Sequence, residues 1–179
     1  MLVGMIGCPG SGKTTLALGM TLQLKKNGLP AIYLEEYATR YIILNDLSTM
    51  TLNHQTKIEE QQTLLEKKYN RVDRIVISDS SLWLNHYYRC KLLGQKDFSA
   101  SNRYFLQQHY DILFGVFPTE DARGAVGRLE EHRSEVIQEA IQEELRMMCT
   151  HNGVSFIPIT AEDVSSAVEI VERAIAKSC

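Results

Sequence analysis

The sequence lacks any apolar run close to the ~20 residues that cross a lipid bilayer, which argues against a membrane protein. It also lacks a basic excess, because 19 Lys and Arg residues stand against 22 Asp and Glu residues and give a formal net charge of −3. A dedicated nucleic-acid-binding protein usually carries more positive than negative charge, so that class is disfavoured. A local basic patch is still compatible with this count.

Cysteines are few, and the four in the chain are too scattered for a disulfide framework or a zinc site. A small secreted domain would carry them more densely, so we expect a reducing compartment. The first residues form no basic and apolar leader, and we therefore expect a cytoplasmic location.

Internal repeats, linkers and low-complexity tracts are also missing, and 179 residues at 44% hydrophobic content predict one globular domain over residues 1–179. Short apolar runs alternate with segments of helical periodicity. This alternation predicts an α/β fold, with a five-stranded parallel sheet and helices on both of its faces. The predicted strands are residues 1–6, 31–34, 74–78, 112–117 and 154–159.

A phosphate-binding motif follows the first predicted strand. Residues 7–14 match G-x-x-x-x-G-K-[ST] at every fixed position, and an amphipathic helix follows them. Glycines let the backbone aim its N–H groups at a polyphosphate, at the positive end of the helix dipole. The pattern predicts ATP binding with Lys13 on the β- and γ-phosphates and Thr14 on Mg²⁺. The predicted nucleotide-binding residues are Gly7, Gly10, Ser11, Gly12, Lys13, Thr14 and Thr15.

Carboxylates follow the second and third predicted strands, where ligands of open α/β sheets bind. Glu35 and Glu36 end the second strand, and alternation along an extended chain sends only one of them towards the nucleotide. That carboxylate could deprotonate or orient an acceptor hydroxyl. Asp79 ends the third strand and is a candidate Mg²⁺ carboxylate. The alternative for Glu35 and Glu36 is a helix cap or a solvated turn, and the alternative for Asp79 is a cap of the next helix, which could coexist with the metal role.

A glycine-containing basic loop follows the fourth predicted strand, at residues 118–133. We expect it to act as a lid that closes over the transferred phosphoryl group, with Arg123 and Arg128 as the working arginines and Arg133 behind them. The alternative is a solvated loop whose arginines pair with neighbouring glutamates.

Aromatic side chains cluster just after the second and third predicted strands. They could stack against a planar acceptor base or pack in the core, and the sequence leaves both interpretations open. The cluster comprises Tyr37, Tyr41, Trp83, Tyr87 and Tyr88.

With these motifs placed, the chain resembles the P-loop nucleoside and nucleotide kinases, and most of all their ribosylnicotinamide-kinase-type branch, which includes many phage-encoded kinases. Residues 34–41, Leu-Glu-Glu-Tyr-Ala-Thr-Arg-Tyr, are similar to that branch's Glu-Tyr-Ala-Arg segment. The resemblance implies a P-loop kinase fold with an arginine-bearing lid. It also makes Glu36 the substrate-side carboxylate and Asp79 the aspartate that ends the third strand.

These observations predict an ATP- and Mg²⁺-dependent phosphotransferase acting on a nucleoside- or nucleotide-like acceptor. Its expected catalytic residues are Lys13, Glu36, Asp79, Arg123 and Arg128. One alternative is a kinase that phosphorylates a hydroxymethylated base or a terminus in DNA, which would make DNA a polymeric substrate. Another is a P-loop NTPase switch, which the Asp-Ser-Ser ending of the third strand disfavours. Acceptor identity and oligomeric state stay open.

Overall fold

The computed structural model describes residues 1–71, 73–95, 98, 103–118 and 135–178. Within these residues five strands alternate with helices along the chain. The strands are β1 (Leu2–Ile6), β2 (Ala31–Leu34), β3 (Ile75–Ser78), β4 (Ile112–Phe117) and β5 (Ile157–Thr160). The helices are α1 (Lys13–Lys26), α2 (Tyr37–Leu44), α3 (Leu52–Tyr69), α4 (Leu82–Leu92), α5 (Arg103–His109), α6 (Glu135–Asn152) and α7 (Val164–Ser178).

All five strands pair in parallel, in the spatial order β2-β3-β1-β4-β5. The central strand β1 is buried along its whole length, as its unbroken apolar sequence predicts. Because the strands are parallel, their carboxyl ends meet at one edge of the sheet. The predicted five-stranded parallel sheet is confirmed.

Alternation along β1 divides the core between the two sheet faces. Val3 and Met5 pack on one face with buried side chains of α1 and α7. Ile6 faces the other side, where α4 and α6 cover the sheet, and Leu2 packs there beside Leu65 of α3. Helices therefore lie on both faces, as the sequence predicts. Among the helices in the described residues, none is long and apolar enough to cross a membrane.

Two segments differ from their sequence patterns. Residues 38–47 have no clear periodicity, yet α2 begins at Tyr37 because it packs against α3. The buried face of α3 carries Gln55, Gln62 and Glu66 beside Ile58, so apolar spacing alone does not reveal it. These buried polar side chains are stable there because each makes hydrogen bonds.

Packing on α1 gives a direct test of this core. Leu24 is fully buried and Leu22, on the same helix, is 57% exposed. We expect Leu24→Ala to lower the free energy of unfolding by about 2–5 kcal/mol, because it leaves a cavity in the core. Leu22→Ala should change it by less than about 1 kcal/mol. Urea unfolding of both variants measures the difference, and equal losses would contradict the described packing.

Candidate active site

The phosphate loop connects β1 to α1, and its glycines are required by its shape. Gly10 and Gly12 have φ values of 90° and 88°, a region that favours glycine. A Cβ atom on Gly7 would lie 2.4 Å from the carbonyl oxygen of Val116. The backbone therefore curls tightly at the start of α1, as an anion-binding loop must.

The side chain of Lys13 is buried and lies across this loop. Its Nζ donates hydrogen bonds to the carbonyl oxygens of Gly7 and Cys8, each over 3.0 Å. The backbone N–H of Cys8 donates in turn to Oε1 of Gln142 on α6, over 2.9 Å. A buried ammonium needs such partners, and they hold the positive charge at the centre of the loop.

Asp79 follows β3 and lies beside the first turn of α1. Its Oδ2 accepts hydrogen bonds from Thr14 Oγ1 over 2.6 Å and from the Tyr33 hydroxyl over 2.9 Å. Its Oδ1 is buried and has no hydrogen-bond partner among the described residues. Ser81 caps α4 by accepting from the N–H of Leu84, so the helix-cap role considered for Asp79 falls to a neighbour.

Burial raises the pKa of the Asp79 carboxyl to about 6, and the negative charge of Glu36 adds to the rise. The hydrogen bond from Thr14 and the positive charge of Lys13 oppose this increase. Burial also raises the pKa of the Tyr33 hydroxyl, and the charge of Asp79 raises it further, so Tyr33 stays a proton donor to Asp79. The site thus concentrates negative charge beside the phosphate loop.

Glu35 and Glu36 differ in their partners. Glu35 pairs with Arg40 over 3.2 Å, and both side chains are more than half exposed. Glu36 occupies the N-cap position of α2 without a side-chain capping bond, and its Oε2 accepts from Thr39 Oγ1 over 2.9 Å. The charge of Glu36 contributes to the raised pKa of Asp79, and the charges of both glutamates contribute to that of Tyr33.

A cavity of about 490 Å³ opens between the phosphate loop and α2. Among the described residues, three of the four charged side chains that line it are carboxylates, and the fourth is an arginine. Two apolar side chains of α2 also line it. The lining residues are Thr14, Tyr33, Glu35, Glu36, Thr39, Arg40, Ile43, Leu44 and Asp79.

The donor atoms fit Mg²⁺ and a nucleotide. Thr14 and Asp79 present oxygen atoms side by side, and the buried Oδ1 of Asp79 has a free acceptor capacity. No group of three His, Cys, Asp or Glu side chains converges anywhere in the described part of the chain. A site built from few protein oxygens suits Mg²⁺, which usually completes its coordination with water and phosphate. The loop and Lys13 offer the matching positive charge for phosphate groups.

The structure brings together most of the residues predicted from the sequence. Ser11 is buried in the loop, and Thr15 is exposed on α1. Trp83 and Tyr87 are buried in the core, which answers the open question about the aromatic cluster for those two. Arg123, Arg128 and the rest of the predicted lid beyond residue 118 lie outside the described residues.

Sequence reasoning missed Tyr33 as a partner of Asp79 and Gln142 as a partner of the loop. The side chain of Tyr33 reaches Asp79 because β2 pairs with β3, with Leu34 opposite Ser78. Gln142 reaches Cys8 from 134 positions away. Strand order and helix docking create both contacts, so no local motif signals them.

Residues 2–166 match the family model described as AAA domain. The chain belongs to this AAA domain family. The fold of this AAA domain chain is also that of a solved deoxyadenosine kinase from M. mycoides, with dCMP and a flexible dCDP bound, at a TM-score of 0.57 over 100% of both chains. Their sequence identity is 18%, so this likeness concerns the fold, and it confirms the predicted P-loop kinase fold. None of the curated proteins gives a significant match. The ribosylnicotinamide-kinase branch stays a prediction.

The raised pKa of Asp79 predicts a pH-dependent stability in the absence of nucleotide and divalent cations. The ordinary value of 3.8 lies below the folded value of about 6, so the folded state binds the proton more tightly. Stability contributed by this group is therefore lost as pH rises from about 4 to about 6, by on the order of 1–3 kcal/mol. Asp79→Asn removes this dependence. In urea unfolding, the free energy of unfolding of Asp79→Asn minus that of the wild type should therefore increase between about pH 4 and about pH 6.

Glu60→Gln is the matched control, because Glu60 is exposed on α3. Its difference from the wild type should stay flat with pH. A flat difference for Asp79→Asn as well would contradict the raised pKa.

Proposed function

We propose that the protein is a Mg²⁺-dependent phosphotransferase that moves the γ-phosphoryl group of ATP to a hydroxyl of a nucleoside-like acceptor. The observation that carries this proposal is the meeting of the phosphate loop with carboxylates at one cavity. Thr14, Asp79 and Glu36 all line that cavity. A nucleotide held by the loop would present its terminal phosphate to an acceptor held against α2.

Each residue of the site has a separate task in this proposal. Lys13 and the loop amides bind the phosphates, and Thr14 and Asp79 hold the metal ion. When bound, Mg²⁺ supplies positive charge that neutralises the phosphate oxygens. Glu36 orients the acceptor hydroxyl and accepts its proton.

Arg123 and Arg128 complete the proposed machinery as lid residues. Their guanidinium groups would spread the charge of the transferring phosphoryl group over several donors. Closure of such a lid would exclude water, which otherwise competes with the acceptor for the phosphoryl group.

The charge of the cavity lining supports a small acceptor without phosphate groups. Among the described residues that line the cavity, Glu35, Glu36 and Asp79 carry negative charge and Arg40 carries positive charge. Like charges in a partly desolvated cleft repel an anion. This lining favours a nucleoside over a nucleotide, and it disfavours DNA, whose phosphates repeat along the chain.

Removal of the proposed proton acceptor should stop transfer while leaving the nucleotide site intact. We expect Glu36→Gln to lower kcat by about 10²- to 10⁴-fold, the usual contribution of general base catalysis. Glu35→Gln is the matched control and should cost less than about 10-fold, since Glu35 pairs with Arg40 at the surface. Transfer is measured with γ-labelled ATP and a panel of nucleosides, nucleotides and oligonucleotides.

Two further results would overturn parts of the proposal. Full transfer by Glu36→Gln would remove its assigned role. If the wild type labels no acceptor but hydrolyses ATP, and Lys13→Ala abolishes that hydrolysis, the protein is an NTPase rather than a kinase.

The acceptor's charge is testable with a matched pair of compounds. We expect kcat/KM for a nucleoside to exceed that for its 5′-monophosphate by at least about 10-fold, or 1.4 kcal/mol. Glu35→Gln should lower the ratio of kcat/KM for the nucleoside to kcat/KM for the monophosphate, because it removes one of the charges that repel the phosphate group. A preference for the monophosphate, or strongly salt-dependent binding of oligonucleotides, would contradict the small neutral acceptor.

A further inference from the structure

A buried carboxylate lies behind the candidate site, outside the cavity. Glu66 on α3 is fully buried, and four side chains donate to it. Its Oε1 accepts from Gln62 Nε2 over 3.0 Å and from Ser78 Oγ over 2.8 Å. Its Oε2 accepts from the Tyr110 hydroxyl over 2.9 Å and lies 2.7 Å from Nε2 of His109. The oxygen atoms of Glu66 are thus fully engaged by groups from four different elements or connections.

Gln62 connects this carboxylate to the segment that carries Glu36. Its Oε1 accepts the backbone N–H of Tyr37 over 3.0 Å, and Tyr37 directly follows Glu36. Its Nε2 donates both to Glu66 and, over 3.2 Å, to Ser78 Oγ. One buried amide group therefore joins the residue after Glu36 to the residue before Asp79.

The same carboxylate also reaches the far side of the Asp79 segment. The N–H of Leu82, which begins α4, donates to the Tyr110 hydroxyl over 2.7 Å, and that hydroxyl donates to Glu66. The ring of Tyr110 packs against Gly4 of β1, where an added Cβ atom would lie 2.6 Å from two ring carbons. Asp79 is therefore flanked by two residues, Ser78 and Leu82, that are both linked to Glu66.

We propose that Gln62 and Glu66 are positioning residues, which keep the segments carrying Glu36 and Asp79 at a fixed separation for phosphoryl transfer. This inference rests on the proposed function. Neither residue lines the cavity, so both act through Tyr37 and Ser78.

The hydrogen bonds of Glu66 fix the positions of its partners more than they increase the free energy of unfolding. Burial of a carboxylate costs free energy that its hydrogen bonds only offset, and a well-packed apolar residue is often as stabilising. What hydrogen bonds add is direction, because each is strong only over a narrow range of distances and angles. Displacement of a reacting group by about 1 Å can reduce the rate by about 100-fold.

The helix itself supplies a matched control. Gln55 lies two turns before Gln62 on the same face of α3. It is 4% exposed where Gln62 is 1% exposed. The Gln55 amide donates to the backbone oxygen of Asn85 on α4 over 3.1 Å, and among the described residues it makes no hydrogen bond to Tyr37 or Ser78. Methionine is close in shape to glutamine, so Gln62→Met and Gln55→Met both remove buried hydrogen bonds with little change in volume.

We expect Gln62→Met to lower kcat by about 10- to 100-fold with the dissociation constant of ATP unchanged, and Gln55→Met to change kcat by less than about 2-fold. Both variants should lose thermal stability, and Gln62→Met should lose more, because one of its hydrogen bonds goes to a buried carboxylate. A second readout is hydrogen exchange at the backbone N–H of Asp79, which donates to Leu34 and not to Gln62. This N–H should exchange faster in Gln62→Met than in Gln55→Met after correction for the loss of global stability in each variant.

Unchanged kcat and unchanged Asp79 exchange in Gln62→Met would overturn the positioning role, as would equal losses of kcat in both variants. Ser78→Ala is the second variant, in case Gln62→Met does not fold, and the same two readouts apply to it. If the wild type transfers phosphate to no acceptor, the proposed function fails on its own. Exchange at Asp79 still decides whether Gln62 and Glu66 position that segment.

Discussion

Parallel pairing of β1 with β3 on one side and β4 on the other is the constraint on which the rest of the structure depends. It aligns the end of β1, where the phosphate loop begins, with the end of β3, where Asp79 follows. The other edge of β3 pairs with β2, which brings Tyr33 to Asp79. Without this order the loop and the carboxylates would belong to separate parts of the surface.

At this edge of the sheet, a buried positive charge on Lys13 lies close to the buried carboxyl group of Asp79. The positive charge of Lys13 is held inside the loop by two carbonyl oxygens, and Asp79 is buried beside it with Thr14 and Tyr33 as donors. Burial raises the pKa of Asp79 because an ion loses solvation there. In the proposed function, the positive charge of a Mg²⁺ ion held by Thr14 and Asp79 would offset the solvation that Asp79 loses on burial.

The hydrogen-bonded side chains around the buried Glu66 also affect the site, although they lie outside the cavity. Glu66 accepts hydrogen bonds from α3, β3, α5 and the connection between α5 and β4, so several elements depend on one buried group. Networks of this kind are sensitive to loss of any member, because the remaining partners stay buried. The position of Glu36 and Asp79 is thereby linked to residues that no cavity exposes.

The sequence by itself determined the five strands and their order along the chain, the phosphate loop and the strand-end location of Glu36 and Asp79. These follow from local rules, since apolar runs, glycine spacing and side-chain alternation act over a few residues. Only the tertiary structure decided that Tyr33 joins Asp79, that Gln142 holds Cys8, and that polar residues of α3 are buried. Those contacts join residues 46, 134 and 16 positions apart, and only strand order and helix docking bring such distant groups together.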